Sequence, residues 1–402
     1  MGEQNYSISS FFLKINQLLW KNSFLQKSRS MFYYVDSVLL LGLRKKYIRN
    51  KNIKKKVLIV YNMALGDGVM FLGVAENIRD IYPSDQYELT LTCQSAFEKL
   101  YEKTGIFDKV LPFDFAGAVV NLKNRRKLFH DLRKEVYDIV LDPIGCDNCT
   151  TNVFVTRAVI AREKIGVIDS SLPHIQCPKW MQKKIYTRLI RVETPNMHLI
   201  QFYAEFFKAL GARNCVAHPA DFKKIELNMM LPKRFFIIFP TASMGVKRWP
   251  LTRYAFLARN IQEKTGMPLL VCGTDHDRPV ISEFLSLIPD VEFVDVIGKT
   301  DIHEFIELIG RAELVVTNDT SAYHIAVAQQ VDVALICGGY TYSRYAKYNY
   351  SKLGYKDPVL ICKKMICYDC NNYCKYNNCD IFPCIKQITQ EDAWEIIEKM
   401  IG

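Results

Sequence analysis

Short apolar runs alternate with amphipathic segments along this 402-residue chain, and the alternation occurs in two successive series. The first series has strand-like runs such as 57–62 and 137–142, and the second extends from 234–239 to 331–339. The segments between the runs have apolar residues at helical spacing. Strands that alternate with helices form parallel sheets covered on both faces. The sequence therefore predicts two α/β domains, each with a doubly wound parallel sheet.

Two changes in composition set the predicted domain boundaries. The alternation begins after a basic segment, and it pauses at a Pro-containing stretch of mixed charge, residues 212–233. We therefore expect a basic amphipathic N-terminal extension (1–56), a Rossmann-like domain (57–230) and a second Rossmann-like domain (231–402). Ligands of open α/β sheets bind at the carboxyl ends of the strands, so we expect a cleft there between the two domains.

The formal net charge of +11 is concentrated in the first 56 residues, which alone carry a net charge of +10. The remaining chain is nearly balanced, which argues against a nucleic-acid-binding protein. Apolar stretches that end in a Lys/Arg cluster are typical of a segment lying on an anionic membrane surface. A helix packed on the first domain, followed by a charged linker, is the alternative. The apolar stretches are too short to span a bilayer, and Asp36 interrupts the second.

The sequence ALGDG (64–68) follows the first predicted strand and opens a helix. Gly66 and Gly68 allow the backbone to turn and to approach a ligand, and the helix start offers free N–H groups. Asp67 is the ionisable residue of this loop, and it is therefore a candidate for acid–base chemistry. The alternative role for Asp67 is to cap the helix.

The sequence FPTASMGVKRWP (239–250) follows the first strand of the second series. Thr241 and Ser243 supply hydroxyls and Lys247 supplies a positive charge, a combination that suits phosphate. In the alternative interpretation Lys247 is solvated and Trp249 only anchors the loop in the core.

The sequence VVTNDTSAYHIA (315–326) ends a later strand and starts a helix whose N–H groups and dipole favour an anion. An ordinary helix cap with a buried core histidine is the alternative. The candidate ligand-binding residues of this loop are Asn318, Asp319, Thr320, Ser321 and His324.

These three loops, in this order on a doubled α/β architecture, resemble the signature of glycosyltransferase family 9, the heptosyltransferases. The resemblance extends from about residue 57 to the C-terminus and leaves the first fifty residues uncovered. It implies the GT-B fold, in which two Rossmann-like domains face a cleft.

The resemblance also implies a role for each loop. Asp67 would be the general base that takes the proton of an acceptor hydroxyl, and Lys247 would stabilise the charge that develops on the leaving diphosphate. Asp277 follows the strand-like run 268–273 and lies where the family often places an acid near the nucleoside. The other residues implied to hold the diphosphate or the ribose are Thr241, Ser243, Asn318, Asp319, Thr320, Ser321 and His324.

The chain departs from the family pattern in its donor-binding loops. Family members commonly have Gly at the position of Thr241 and a Gly-Pro pair at the positions of Ser321 and Ala322. They have a Phe-Gly-Pro turn where this chain has Cys-Gly-Gly at 337–339.

The implied activity is transfer of a sugar, a heptose from an ADP-activated donor, with inversion. The acceptor would be a lipopolysaccharide core or another lipid-linked glycan at the cytoplasmic face of the membrane, reached through the basic N-terminal segment. No cofactor and no catalytic metal would be required. A nucleotide-sugar epimerase and a non-catalytic sugar-nucleotide-binding protein are the alternatives.

The C-terminal region contains a CxxC pair within a dense group of cysteines. The spacing is tighter and less regular than that of usual structural zinc sites, and a structural metal, disulfides and reduced thiols all remain open. The cysteines concerned are Cys367, Cys370, Cys374, Cys379 and Cys384.

Overall fold

The computed structural model describes residues 54–145, 151–169, 179–192, 197–370, 374 and 379–402. The chain divides into two compact units, residues 1–62 with 82–195 and residues 63–81 with 196–402. The basic segment expected to lie on a membrane falls almost wholly outside the described residues. Within them, no helix combines the length and the hydropathy needed to cross a bilayer.

The first unit is built on a six-stranded sheet in which all neighbouring strands are parallel. Its central strand contains the apolar run VLIV, which is fully buried, as expected for a parallel sheet covered on both faces. The strands are β1 (Lys55–Val60), β2 (Tyr87–Gln94), β3 (Lys109–Phe113), β4 (Val136–Asp142), β5 (Ile160–Asp169) and β6 (Arg188–Val192). Their order is β3-β2-β1-β4-β5-β6.

The second unit repeats this arrangement with a second all-parallel, six-stranded sheet. The strands are β7 (Phe236–Phe239), β8 (Leu269–Val271), β9 (Phe293–Asp295), β10 (Leu314–Thr317), β11 (Asp332–Ile336) and β12 (Val359–Ile361). Their order is β12-β11-β10-β7-β8-β9. Read from the β9 edge, this is the same order as in the first sheet. Both sheets have the doubly wound order of dinucleotide-binding folds. The predicted pair of Rossmann-like domains is confirmed.

Helices connect the strands of both sheets. In the order of the chain they are α1 (Leu65–Ala75), α2 (Ile78–Ile81), α3 (Glu98–Glu102), α4 (Phe115–Val120), α5 (Leu122–Leu132), α6 (Thr151–Ala158), α7 (Lys179–Ile185), α8 (Leu199–Leu210), α9 (Leu251–Thr265), α10 (Arg278–Ser286), α11 (Ile302–Gly310), α12 (Ser321–Ala328), α13 (Pro383–Lys386) and α14 (Gln390–Ile401).

Helices α1 and α8 belong to the second unit, although the predicted first domain, residues 57–230, included both. For α1 the reason is its packing, because α1 lies against α12 and α8. Phe71 of α1 contacts two rings of α8, with its centroid 5.6 Å from that of Tyr203 and 6.1 Å from that of Phe207. The loop that carries Asp67 is thereby part of the same compact unit as the loops that follow β7 and β10.

Two of the loops singled out in the sequence leave the second sheet side by side. Strands β7 and β10 are hydrogen-bonded neighbours, with Phe239 opposite Thr317. The direction of strand order reverses between them, and such a switch point is where open α/β sheets bind ligands.

Candidate active site

Asp67 lies in the first turn of α1, and the carboxyl group is hydrogen-bonded to the backbone of Ala64, the residue that caps this helix. Burial raises the pKa of Asp67 to about 6, and the nearby charge of Asp319 adds to this effect. The bond to Ala64 and the positive charges of Lys247 and Arg344 act in the opposite direction. A carboxyl group with such a pKa is well suited to accept a proton near neutral pH.

Lys247 ends a single helical turn, Gly245–Lys247, in the loop after β7. The Nζ atom of Lys247 lies 3.3 Å from Oδ2 of Asp319, and only 15% and 14% of the two side chains are exposed. The ammonium group also lies 4.6 Å from the ring centroid of Tyr340. Tyr340 donates its hydroxyl hydrogen to the same Oδ2 of Asp319 over 3.0 Å. One carboxylate oxygen of Asp319 is thus the hydrogen-bond acceptor for both the ammonium group of Lys247 and the hydroxyl group of Tyr340.

The side chain of Asn318 is hydrogen-bonded to the backbone of the loop that follows β7. Its Oδ1 accepts a hydrogen bond from the backbone N–H of Trp249 at 3.2 Å. Its Nδ2 donates to the carbonyl oxygens of Pro240 at 2.8 Å and Thr241 at 3.3 Å. The amide is fully buried and committed to the loop, so the structure assigns Asn318 a positioning contact. A direct contact with a ligand stays a prediction.

His324 lies in the first turn of α12 and is buried. Its Nδ1 is 2.8 Å from the hydroxyl oxygen of Tyr348, and the edge of its ring faces Gly66 of α1. Burial lowers the pKa of His324 to about 4, and the charge of Lys247 lowers it further, although Asp319 acts in the opposite direction. The imidazole is therefore neutral at neutral pH.

The hydroxyl residues predicted to bind the diphosphate occupy the same two loops. Thr241 is buried and Ser243 is exposed. Thr320 caps α12, with its Oγ1 3.3 Å from that of Thr317, and Ser321 is the first residue of that helix.

Asp277 lies in the turn that follows β8, the strand next to β7. Its Oδ2 accepts hydrogen bonds from the backbone N–H of Thr274 at 2.9 Å and from the hydroxyl of the same residue at 2.8 Å. Gly273 has φ of +139°, and an added Cβ there would lie 2.9 Å from the Asp277 carboxylate. The carboxylate therefore stabilises a tight turn at the carboxyl edge of the sheet.

The residues that follow β11 also lie near Asp67, although the sequence pattern did not indicate them. Arg344 lies in a π-helical turn, Tyr342–Ala346, and its guanidinium carbon is 4.7 Å from the ring centroid of Phe202 in α8. The side chain is close enough to Asp67 to lower the pKa of that carboxyl. Turns of this kind are frequent at functional sites. The available signal was an arginine shortly after a Gly-Gly pair at a strand end.

His198 is a second residue that the sequence pattern did not indicate. It caps α8, and its Nε2 is 3.1 Å from the carbonyl oxygen of Tyr345. The ring centroid of His198 lies 4.2 Å from the ring centroid of Tyr348. Burial lowers the pKa of His198 to about 3, so this histidine is neutral and packs against the ring of Tyr348.

The C-terminal segment lies on the loop that carries Lys247. The N–H of Phe382 donates to the carbonyl oxygen of Val246 at 2.9 Å. Cys374 and Cys384 are buried in the core of the second unit. The described residues include no group of three or more His, Cys, Asp or Glu arranged to hold a metal, and residues 371–373 and 375–378 lie outside that description.

Known proteins resemble this chain in sequence. A family model described as glycosyltransferase family 9 (heptosyltransferase) matches residues 125–353. Lipooligosaccharide heptosyltransferase 2 of Haemophilus ducreyi is 32% identical over 285 residues, which are 68% of this chain and 80% of the relative. The enzyme of the same name from Haemophilus influenzae is 39% identical over 112 residues, 26% of this chain and 32% of that relative.

Solved structures show the same fold. A glycosyltransferase of family 9 from Veillonella parvula has a TM-score of 0.67 and 15% identity, covering 88% of this chain and 99% of its own. Heptosyltransferase WaaC of E. coli, solved with ADP-2-deoxy-2-fluoro heptose, has a TM-score of 0.62 and 15% identity, covering 86% and 99%. The fold is therefore the GT-B fold that the resemblance implied.

Proposed function

The chain belongs to glycosyltransferase family 9, and from this membership we propose that it transfers a heptose from ADP-heptose, with inversion, to a lipopolysaccharide core or another lipid-linked glycan. The observation that carries the proposal is the placement of Asp67, whose pKa is raised to about 6, within electrostatic reach of Lys247 and Asp319. A carboxyl group able to act as a base, close to a fixed positive charge, supports the proposal because glycosyl transfer needs both.

In the proposed reaction Asp67, as the carboxylate, takes the proton of the acceptor hydroxyl. The acceptor oxygen attacks the anomeric carbon while the bond from that carbon to the diphosphate breaks, and the bonding electrons leave with the diphosphate. Lys247 stabilises the negative charge that develops on this leaving group. A single displacement with one base gives inversion at the anomeric carbon.

The donor would bind on the loops after β7 and β10. The N-terminus of α12, with Thr320 and Ser321, offers N–H groups and hydroxyls to the diphosphate. The neutral imidazole of His324 is a further donor, and Asp277 would contact the nucleoside. The solved heptosyltransferase that carries an ADP-sugar analogue supports adenine as the base. Because Lys247 and the N-terminus of α12 supply a positive field, we propose that transfer needs no cofactor and no metal ion, so a chelator should leave turnover unchanged.

Thermal unfolding with nucleotides tests the donor. ADP, UDP, GDP and CDP would each be added to the wild type and to Lys247→Ala, since a ligand at a hundred times its Kd stabilises by about 2.7 kcal/mol. We expect a shift with ADP that is lost in the variant. A shift with another nucleotide would change the donor, and no shift with any would contradict the proposal.

Turnover of Asp67→Ala tests the chemistry. We expect a loss of about 100- to 10,000-fold in rate with donor affinity nearly intact. An epimerase would convert the donor without any acceptor. A non-catalytic binding protein would lose nothing on this substitution, and either result would replace the proposed reaction.

We also propose a peripheral position at the cytoplasmic face of the membrane, supported by the net charge of +10 in residues 1–56. Anionic lipid attracts a basic segment with about 1 kcal/mol per Lys or Arg near the surface. Deletion of residues 1–50 should lower binding to phosphatidylserine vesicles while sparing turnover on a water-soluble acceptor. Unchanged vesicle binding would overturn this location.

A further inference from the structure

We propose that Tyr340 is a positioning residue that keeps Lys247 available to the donor diphosphate by competing with it for Asp319. The inference rests on the proposed function for the identity of the anion that Lys247 meets. The competition itself is a property of the ligand-free protein, and it can be tested separately.

The ring of Tyr340 is held in one place. It is 1% exposed, and its centroid lies 5.2 Å from that of Phe382. An added Cβ at Gly338 would lie 2.1 Å from the Tyr340 ring, so the backbone of Gly338, after β11, is packed directly on it. A ring fixed from both sides presents its hydroxyl and its face at set positions.

The hydroxyl and the ammonium converge on a single carboxylate oxygen. Tyr340 donates to Oδ2 of Asp319 at 3.0 Å, whereas Nζ of Lys247 stays 3.3 Å from that oxygen. A well-formed hydrogen bond from an ammonium to a carboxylate is about 2.7–2.9 Å long. Since burial raises the pKa of Tyr340 well above its usual range, the hydroxyl keeps its hydrogen and acts as a donor. Of the two hydrogen bonds to Oδ2 of Asp319, the one from Lys247 is therefore the weaker.

The face of the Tyr340 ring provides a second, weaker attraction for the ammonium, which lies 4.6 Å from the ring centroid. Because the ring carries no net charge, this contact is weaker than an ion pair and is easily exchanged for an anion. A closed Lys247–Asp319 pair would be costly to open, because both side chains are largely buried. By sharing Asp319, Tyr340 lowers the cost of moving Lys247 onto the diphosphate.

Tyr340→Phe separates the hydrogen bond to Asp319 from the ring contact with Lys247, because it removes the hydroxyl and keeps the ring. Tyr254→Phe is the matched control. Tyr254 is fully buried in the same unit, and its hydroxyl has no hydrogen-bond partner among the described residues.

The first measurement is made without ligand. Trace acetylation with acetic anhydride, read by mass spectrometry, compares Lys247 with the exposed Lys352 as internal reference. In Tyr340→Phe the ion pair closes, so we expect Lys247 to react several-fold more slowly than in the wild type or in Tyr254→Phe. An unchanged or faster reaction of Lys247 would overturn the proposal.

The second measurement is affinity for whichever nucleoside diphosphate binds the wild type best. We expect Tyr340→Phe to weaken binding by about three- to tenfold, the worth of one hydrogen bond. The same substitution in an Asp319→Asn background should have much less effect, because the competing ion pair is gone. Additive effects of the two substitutions would overturn the proposal. If no nucleotide binds the wild type, the proposed function fails, while the acetylation result still decides the competition.

Discussion

The imidazole of His324 lies against the backbone of Gly66, so that a Cβ added at this glycine would come within 2.6 Å of the histidine Cδ2. The contact joins the first turn of α1, which carries Asp67, to the first turn of α12, which follows Asp319. It therefore sets the distance between the proposed base and the proposed donor loop. Glycine is needed here for close approach, although its φ is not positive.

We expect Gly66→Ala to displace α1 from α12. His324 cannot yield easily, because its ring is buried and hydrogen-bonded to Tyr348. Overpacking of this kind costs about 1–3 kcal/mol of unfolding free energy, and turnover should fall at least about tenfold. Urea unfolding and initial rates would measure both. For stability, Gly245→Ala is the control, since a Cβ there meets no atom within 4 Å; equal unfolding free energies in the two variants would contradict the close contact.

The pKa of Asp67 predicts the acid side of the pH profile. Because the base must be ionised, kcat/KM for the donor should fall as the pH falls through about 6. The charge of Asp319 contributes to the raised pKa of Asp67, so in Asp319→Asn the fall in kcat/KM should occur at lower pH. The same substitution should also weaken donor binding. The measurement is a pH–rate profile of both proteins. A limb that stays in place in the variant would show that Asp319 does not tune the base.

The raised pKa of Asp67 makes the folded protein less stable at high pH, whereas the activity should be higher there. Asp67 holds its proton more strongly in the folded state, where the pKa is about 6, than in the unfolded chain, where it is near 3.8. The contribution of Asp67 to stability therefore decreases as the pH rises from about 4 to above 6. Asp67→Asn removes this loss, so its Tm should exceed that of the wild type at pH 8 and approach it at pH 4. A constant Tm difference would argue against the raised pKa.

The sequence predicted the positions of the candidate loops because these positions depend on local rules. The loops with Lys247 and Asp319 follow strands that the apolar pattern identifies, and the carboxyl ends of neighbouring parallel strands meet at one edge. The sequence did not predict Tyr340 and Arg344. Arg344 lies in a π-helical turn after β11, and Tyr340 is positioned by its packing against Phe382 and Gly338, neither of which a local pattern indicates.

Two other differences also have tertiary causes. The sequence pattern assigned α1 to the domain of the strand before it, but a helix joins the surface on which it buries most, here α8 and α12. Asn318 has the polarity expected of a ligand-binding residue. Its amide can equally bind backbone groups, and only the structure shows that it holds the loop at Trp249 and Pro240.

Asn318→Ala should release the loop that carries Lys247. The substitution removes three hydrogen bonds to the loop backbone and leaves the buried N–H of Trp249 without its acceptor. We expect a loss of about 2–4 kcal/mol in unfolding free energy and weaker binding of the nucleoside diphosphate. Asn260→Ala, which loses one helix-surface bond to Phe256, is the control. Equal losses in both variants would show that the loop does not depend on Asn318.

Trp249→Phe tests whether the C-terminal segment supports the donor loop. The indole Nε1 of Trp249 donates to the carbonyl oxygen of Ile388 at 2.9 Å, and Arg253 donates to the carbonyl oxygen of Lys386 at 2.7 Å. The substitution removes the first bond and leaves a gap in the core, which should cost about 1–3 kcal/mol. Because Lys247 lies two residues away, nucleotide affinity should also fall, whereas Tyr254→Phe should change neither quantity. A lower Tm with unchanged Kd would mean that the C-terminal segment stabilises the domain without positioning the lysine.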